Sequence, residues 1–240
     1  MSEKLRVLGV IPARGGSKGV PRKNIKLLCG KPLIAYTIVE ALKSKYLTKV
    51  VTSTDDEEIA RIAREWGSDV IMRPKDLGTD DSPVIETIKH AILFTQEREK
   101  VVYDYIALLQ PTSPLRIVED LDAAIEKMIC EGGDSATAVT EINDSRHPAR
   151  MKRVENNRIV DIYDPDLDFA PRQRLPKIYI RNGAIYIVKR EIVFEKNSLR
   201  GDACIAHIMP EERSVNIDSI TDFMLAELMI GKSDRVGQVK

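Results

Sequence analysis

Residues 10–24 read VIPARGGSKGVPRKN and set four cations, Arg14, Lys18, Arg22 and Lys23, among three glycines. Just before them, Val7 to Ile11 is apolar and rich in β-branched residues, the pattern of a strand buried on both faces. A glycine-rich turn after such a strand lets successive backbone N–H groups converge on an anion, because glycine accepts positive φ and close approach. The basic side chains add charge. RGGSKG lacks the four residues that an ATPase phosphate loop keeps between its glycine and its Gly-Lys pair, and it is not the GxGxxG of a dinucleotide fold. A solvated basic loop has the same composition. Position separates the two readings, because at the carboxyl end of the first strand of a parallel sheet the loop faces the crevice where ligands bind.

The rest of the chain supplies that sheet. Runs at Val7 to Ile11, Lys49 to Thr52, Asp69 to Met72, Tyr105 to Leu109 and Ala136 to Thr140 read as buried strands. Between them, helical stripes run through Leu33, Ile34, Thr37, Ile38, Ala41 and Leu42; through Ile59, Ile62, Ala63 and Trp66; through Val84, Ile85, Ile88, Ala91 and Ile92; and through Leu121, Ala124, Ile125 and Met128. This βαβ rhythm predicts an α/β fold, a Rossmann-like, doubly wound and mainly parallel sheet. After Glu141 the rhythm changes. MKRVENNRIVDIY predicts a hairpin turning at Asn156 and Asn157, a Pro-punctuated loop follows, and IYIRNGAIYIV returns to the sheet with Gly183 interrupting it. The last helix is expected from about Ser219 to Met229. Residues 1–240 read as a single domain whose segment at about 143–182 is an inserted hairpin arm, too thin to hold its own core and so expected to pack on a second subunit as a homodimer.

Composition narrows the function classes. With 37 basic and 37 acidic residues, the chain has no whole-molecule field to recruit nucleic acid or an anionic membrane, so anion binding is local. Cys29, Cys130 and Cys204 are far apart, with no CxxC pair and no neighbouring histidine, which argues against a zinc site or a disulfide framework and favours a reduced, cytoplasmic setting. No apolar run approaches the length of a membrane span, and no cleavable leader is recognisable.

Seven blocks, IPARGGSKGVPRKN, STD at 53–55, RP at 73–74, LLQPTSPLR at 108–116, PRQ at 171–173, NGAIY at 182–186 and NID at 216–218, resemble in order the motifs of the CMP-sialic acid synthetases, the acylneuraminate cytidylyltransferases. The resemblance implies CTP and an acidic nine-carbon 2-keto sugar as substrates, a CMP-sugar and pyrophosphate as products, a Mg2+ ion and a dimer. It implies that Arg14 and Lys18 hold the β- and γ-phosphates, that Lys23 and Asn24 approach the α-phosphate, and that Ala13, Gly15, Gly16 and Ser17 complete the nucleotide loop. Arg73 would lie near the cytosine, although a surface ion pair would also explain it. Gln110 and Ser113 would face the sugar from a Pro-rigid loop that otherwise reads as a strand terminator. Arg150, from the partner's arm, and Arg172 correspond to cations near the sugar carboxylate, and both would equally suit an interface. Asn182 and Tyr186 would approach the sugar beside Gly183, where a β-bulge is the other explanation.

Two departures stand out. The family's Asp-x-Asp is here Asn216-Ile217-Asp218. Strand alternation points both side chains the same way, so the pair is expected to bind the magnesium ion, more weakly than two carboxylates. Ser219 and Asp222 alternatively have the spacing of a capping box. Where relatives carry an aromatic pair after NGAIY, the chain has Leu199-Arg200, which predicts a different acyl pocket and a sugar of the sialate, legionaminate or pseudaminate kind. Catalysis is assigned to Arg14, Lys18, Lys23 and Asp218. No general base is evident, since His90, His147 and His207 read as structural. A CTP-binding regulatory module without turnover is the alternative, and a nicotinamide dehydrogenase is disfavoured by the missing GxGxxG.

Overall fold

A computed structural model describes residues 5–17, 19–79 and 82–237. Strand β1 (Val7–Pro12) alternates its side chains between two cores, Val7 and Ile11 to one and Leu8 and Val10 to the other. That double burial is what its unbroken apolar run encodes. The small hairpin β2 (Leu27–Leu28) and β3 (Lys31–Pro32) leads into helix α1 (Leu33–Leu42). There follow β4 (Leu47–Thr54), α2 (Glu57–Glu65), β5 (Asp69–Met72), α3 (Val84–Glu99), β6 (Tyr105–Leu108), α4 (Val118–Cys130) and β7 (Ser135–Glu141). After the arm hairpin β8 (Lys152–Glu155) and β9 (Arg158–Asp161) come β10 (Tyr179–Lys189), α5 (Arg190–Glu195), β11 (Cys204–Ile208) and α6 (Ile220–Gly237). Each strand and helix expected from the pattern is present. The last helix runs past Met229 and through Gly231, with no proline in the segment to end it.

The main sheet has seven strands in the order β11-β7-β10-β6-β1-β4-β5. Strand β10 is antiparallel to both neighbours, and the other pairs are parallel. Helices α1, α2 and α4 cover one face, whereas α3 and α5 cover the other. The chain leaves β1 toward β4 on one side and leaves β6 toward β7 on the other, so strand order reverses between β1 and β6. A crevice opens above such a reversal, at the carboxyl ends of the strands. A third apolar cluster, Val20, Leu28, Leu33, Ile217, Phe223 and Ala226, fastens the far end of the basic loop under α6.

In the arm, Asn156 and Asn157 both take positive φ, 50° and 61°, the geometry of a type I′ hairpin turn. Its apolar residues are uncovered within one chain, with Ile159 72% and Phe169 94% exposed. Among the described residues, no helix is long and apolar enough to cross a membrane.

Candidate active site

The basic loop leaves β1 over an acidic floor supplied by the end of β4. Buried Ala13 donates its N–H to Ser53 O at 2.9 Å, and Gly15 N–H donates to Asp55 Oδ1 at 3.2 Å. Asp56 caps α2 by accepting from the N–H groups of Glu58 and Ile59, both at 3.0 Å. Arg22, in the left-handed region at φ 53°, turns away from the crevice and pairs with Asp56 and, at 2.6 Å, with Glu58. The Arg22 hydrogen bond holds the Asp56 carboxyl below its ordinary range. One of the four cations is therefore structural. Asn24 is buried and donates to Arg14 O at 2.9 Å, which braces the loop from within. Lys18 lies outside the described residues.

At its far end the loop meets the NID segment. A Cβ on Gly19 would sit 2.0 Å from Asp218 O, so only glycine permits this contact. Lys23 Nζ donates to Ile217 O at 2.6 Å and pairs with Asp218 Oδ1 at 3.4 Å. Asn216 Nδ2 donates to Asp218 Oδ2 at 2.7 Å, whereas Asn216 Oδ1 is buried without a partner among the described residues. The capping box is also formed. Asp222 accepts from Ser219 N–H at 2.8 Å while Ser219 Oγ accepts from Asp222 N–H at 3.3 Å, which leaves the 74% exposed Asp218 side chain on the rim.

Across the crevice, Arg73 is buried just past β5. Its Nη1 donates to Thr87 Oγ1 at 3.0 Å and its Nη2 to Asp55 Oδ1 at 3.3 Å. Burial lowers its pKa, with Arg14 nearby acting in the same direction and Asp55 opposing. Asp55 thus ties the anion loop to the opposite wall. Nothing in the sequence pattern assigned that role to it, because an aspartate ending a strand reads as a turn or a cap; the only signal was its place in the STD block.

The floor comes from the end of β6 and the irregular part of β10. Gly183 has φ +79°, and a Cβ there would lie 2.9 Å from Gln110 Oε1 and 3.1 Å from Asn216 Oδ1. The glycine makes room for these two carboxamides. Ser113 and Asn182 do not face the crevice as expected. Both are buried, Asn182 Nδ2 donates to Ser214 Oγ at 3.0 Å, Asn182 Oδ1 accepts from Ala184 N–H at 3.1 Å, and Ser113 Oγ donates to Asn182 O at 3.5 Å. Their polar atoms are used in holding the β10 irregularity. Tyr186 pairs with Leu108 and packs against the cluster under α3.

Together these elements enclose a cavity of about 500 Å³. Arg14, Ser17, Lys23 and Asn24 line it from the loop, with Gly15 and Gly16 in the intervening turn; Arg73 and Gln110 line it from the strands, and Asn216 and Asp218 close it. Among the described residues, no histidine lines it. The acidic Asp218 and the cations Arg14 and Lys23 line one cavity, a donor set that fits a magnesium ion carried by one carboxylate, water and the oxygens of an anionic ligand. Asn216 turns its nitrogen, not its oxygen, toward Asp218. Among the described residues there is no cluster of three metal-binding side chains.

Arg150 and Arg172 lie on the arm. Arg150 donates to Leu167 O at 3.0 Å and Ala170 O at 2.7 Å, and Arg172 lines a separate cavity beside His147. Neither lines the crevice of its own chain. Leu199 and Arg200 do not line it either. Gly201 N–H beside them donates to Ser135 Oγ at the start of β7, so they sit at the amino ends of the parallel strands, the opposite edge from the crevice.

The cytidylyltransferase family model matches residues 8–202. The chain is 35% identical over 239 residues to N-acylneuraminate cytidylyltransferase of Escherichia coli O18:K1:H7, covering 97% of this chain and 54% of that protein. It is 36% identical over 228 residues to CMP-N,N'-diacetyllegionaminic acid synthase of Legionella pneumophila, covering 94% and 97%. It thus spans about half of the first relative and nearly all of the second. In structure it is similar to CMP:2-keto-3-deoxy-manno-octonic acid synthetase complexed with CTP, with a TM-score of 0.71 at 17% identity over 95% of this chain and 99% of that one, a likeness of fold.

Proposed function

The chain belongs to the cytidylyltransferase family, and on that premise we propose that it joins CTP to an acidic nine-carbon 2-keto sugar, releasing pyrophosphate. The observation that supports this reading is the contact of Lys23 with Ile217 O and Asp218, which brings the cation proposed for the α-phosphate beside the carboxylate proposed for the metal. In the reaction the sugar's anomeric hydroxyl oxygen attacks the α-phosphorus in line, its proton passes to solvent water, and the bond to the bridging β-phosphate oxygen breaks, that oxygen leaving with the pyrophosphate. Negative charge moves onto the leaving pyrophosphate. Arg14, Lys18 and the N–H groups of residues 16 and 17 hold the β- and γ-phosphates as that charge grows, the Ala13 and Gly15 N–H groups being donated to Ser53 O and Asp55, and Lys23 with Asn24 holds the α-phosphate. Asp218, with Asn216 beside it, would hold the magnesium ion, which neutralises phosphate charge when bound. Arg73 bounds the cytosine end and Gln110 the sugar end.

The two ends of the site have different origins in this proposal. The residues assigned to the nucleotide half all come from one chain, whereas Arg150 and Arg172 would meet the sugar carboxylate only across a dimer that covers the arm's apolar residues. The chain would work in the cytoplasm, where CTP is available. A CTP-binding regulatory module is the second reading, favoured by the neutral Asn216 where a second carboxylate would strengthen a metal site.

Pyrophosphate release measured with CTP, magnesium and a panel of N-acetylneuraminate, N,N'-diacetyllegionaminate and pseudaminate decides between them. Release with one acid supports the transferase and names its sugar. Saturable CTP binding with no release from any acid supports the module.

A further inference from the structure

LLQPTSPLR ends in an arginine that the crevice does not use. Arg116 is 2% exposed, and burial pushes its pKa down to about 10. Its Nη1 donates to Ala184 O at 2.6 Å and, at 3.5 Å, to Gln110 O, whereas Nε and Nη2 are buried with no partner among the described residues. The nearest carboxylates are engaged elsewhere: Glu40 accepts from Val118 N–H at 2.8 Å, and Asp120 accepts twice from Arg213, at 2.9 and 2.7 Å. A buried cation held by two carbonyls is costly unless the carbonyls need it.

They do need it. Pairing of β10 with β6 stops at Tyr186 and Leu108, and pairing of β10 with β7 is irregular between Arg181 and Tyr186. Across that gap the sheet gives Ala184 O and Gln110 O no regular ladder. The guanidinium spans the gap, joining Gln110, the second residue beyond β6, to Ala184, the residue after Gly183. This is the point at which the Gln110 side chain rests against Gly183.

We infer that Arg116 is a positioning residue for the sugar half of the site: it fixes Gln110 and the Gly183 irregularity relative to one another and leaves the nucleotide half untouched. The inference rests on the proposed cytidylyl transfer, and wild-type turnover with one acid of the panel tests that reading before any variant is made. Arg116→Met keeps length and burial but removes the bridge, and Arg116→Lys keeps the charge but not the fork. Both are expected to raise KM for that acid by about 10-fold or more, the scale of losing a charged hydrogen bond, while CTP affinity by calorimetry stays within about 2-fold. In Arg116→Ala, added methylguanidinium should restore sugar turnover saturably. An unchanged sugar KM in both folded variants overturns the inference. So does a parallel loss of CTP and sugar affinity, which marks a general structural role.

Discussion

Replacing Asn216 by aspartate sets a second carboxylate against Asp218, whose Oδ2 now accepts a hydrogen bond from Asn216 Nδ2 at 2.7 Å. Without metal the variant loses that bond, about 1 kcal/mol, and gains a repulsion of about 1 kcal/mol between charges roughly 4 Å apart in a water-like medium. Asp218 is 74% exposed, so solvent screens the pair and the sum is best taken as about 1–2 kcal/mol. A divalent cation between the two carboxylates removes the repulsion and turns it into attraction. The magnesium concentration for half-maximal pyrophosphate release should therefore fall about 10-fold, and the metal-free protein should melt about 2–4 °C lower for each kcal/mol lost, recovering when magnesium is added. At saturating magnesium the gain should shrink or reverse, because the added anion repels the triphosphate. The assay is a magnesium titration of both proteins, with melting curves in chelator. Superimposed titrations and identical melting would show that residue 216 is not beside the metal. Full activity of a folded Asp218→Ala variant would remove the metal from this rim altogether.

Lys23→Ala should lower kcat by about 10²- to 10³-fold with CTP affinity changed far less, because the ammonium meets charge that grows in the transition state; an unchanged kcat in a folded variant would refute its role. Ile159→Asp with Phe169→Asp should convert a dimer into a monomer in sedimentation at micromolar concentration and abolish sugar turnover while CTP still binds; a wild type that sediments as a monomer would refute the arm's role. Burial raises the Asp120 pKa, but His207, 3.8 Å away, and the two hydrogen bonds from Arg213 overcome it and bring it down to about 2. A carboxyl depressed in the folded state stabilises above its unfolded pKa and loses that contribution as pH falls through the folded one. Wild-type stability should therefore drop by roughly 2 kcal/mol between about pH 4 and pH 2 through this residue, and Asp120→Asn should flatten that limb in denaturant titrations.

The parallel framework was legible because strands buried on both faces are written as unbroken apolar runs, and the arm's turn because two asparagines in succession suit positive φ. Strand direction was not legible. IYIRNGAIYIV pairs equally well either way, and its reversal in β10 carries the chain back to the amino ends of the sheet, which is why Leu199 and Arg200 end up opposite the crevice. Within the site, residue type and motif order identified Arg14, Lys23, Arg73, Gln110 and Asp218, which all line the cavity. They could not separate a lining residue from its support. Arg22 looks like a phosphate cation until its φ of 53° turns it onto Asp56, and Ser113 and Asn182 belong to site motifs yet bond to one another below the floor. Asp55 and Arg116 act through partners some 40 and 68 residues away in sequence, distances over which no local pattern operates.

Transfer of the cytidylyl group is tested most directly by following the α-phosphorus. With CTP labelled at that atom, magnesium and the acid that supports pyrophosphate release, the label should appear in a product that also contains the sugar and is stable to phosphatase, in a one-to-one ratio with unlabelled pyrophosphate. Label that stays in CTP with every acid, or that leaves as free CMP without a sugar adduct, would contradict the proposed reaction.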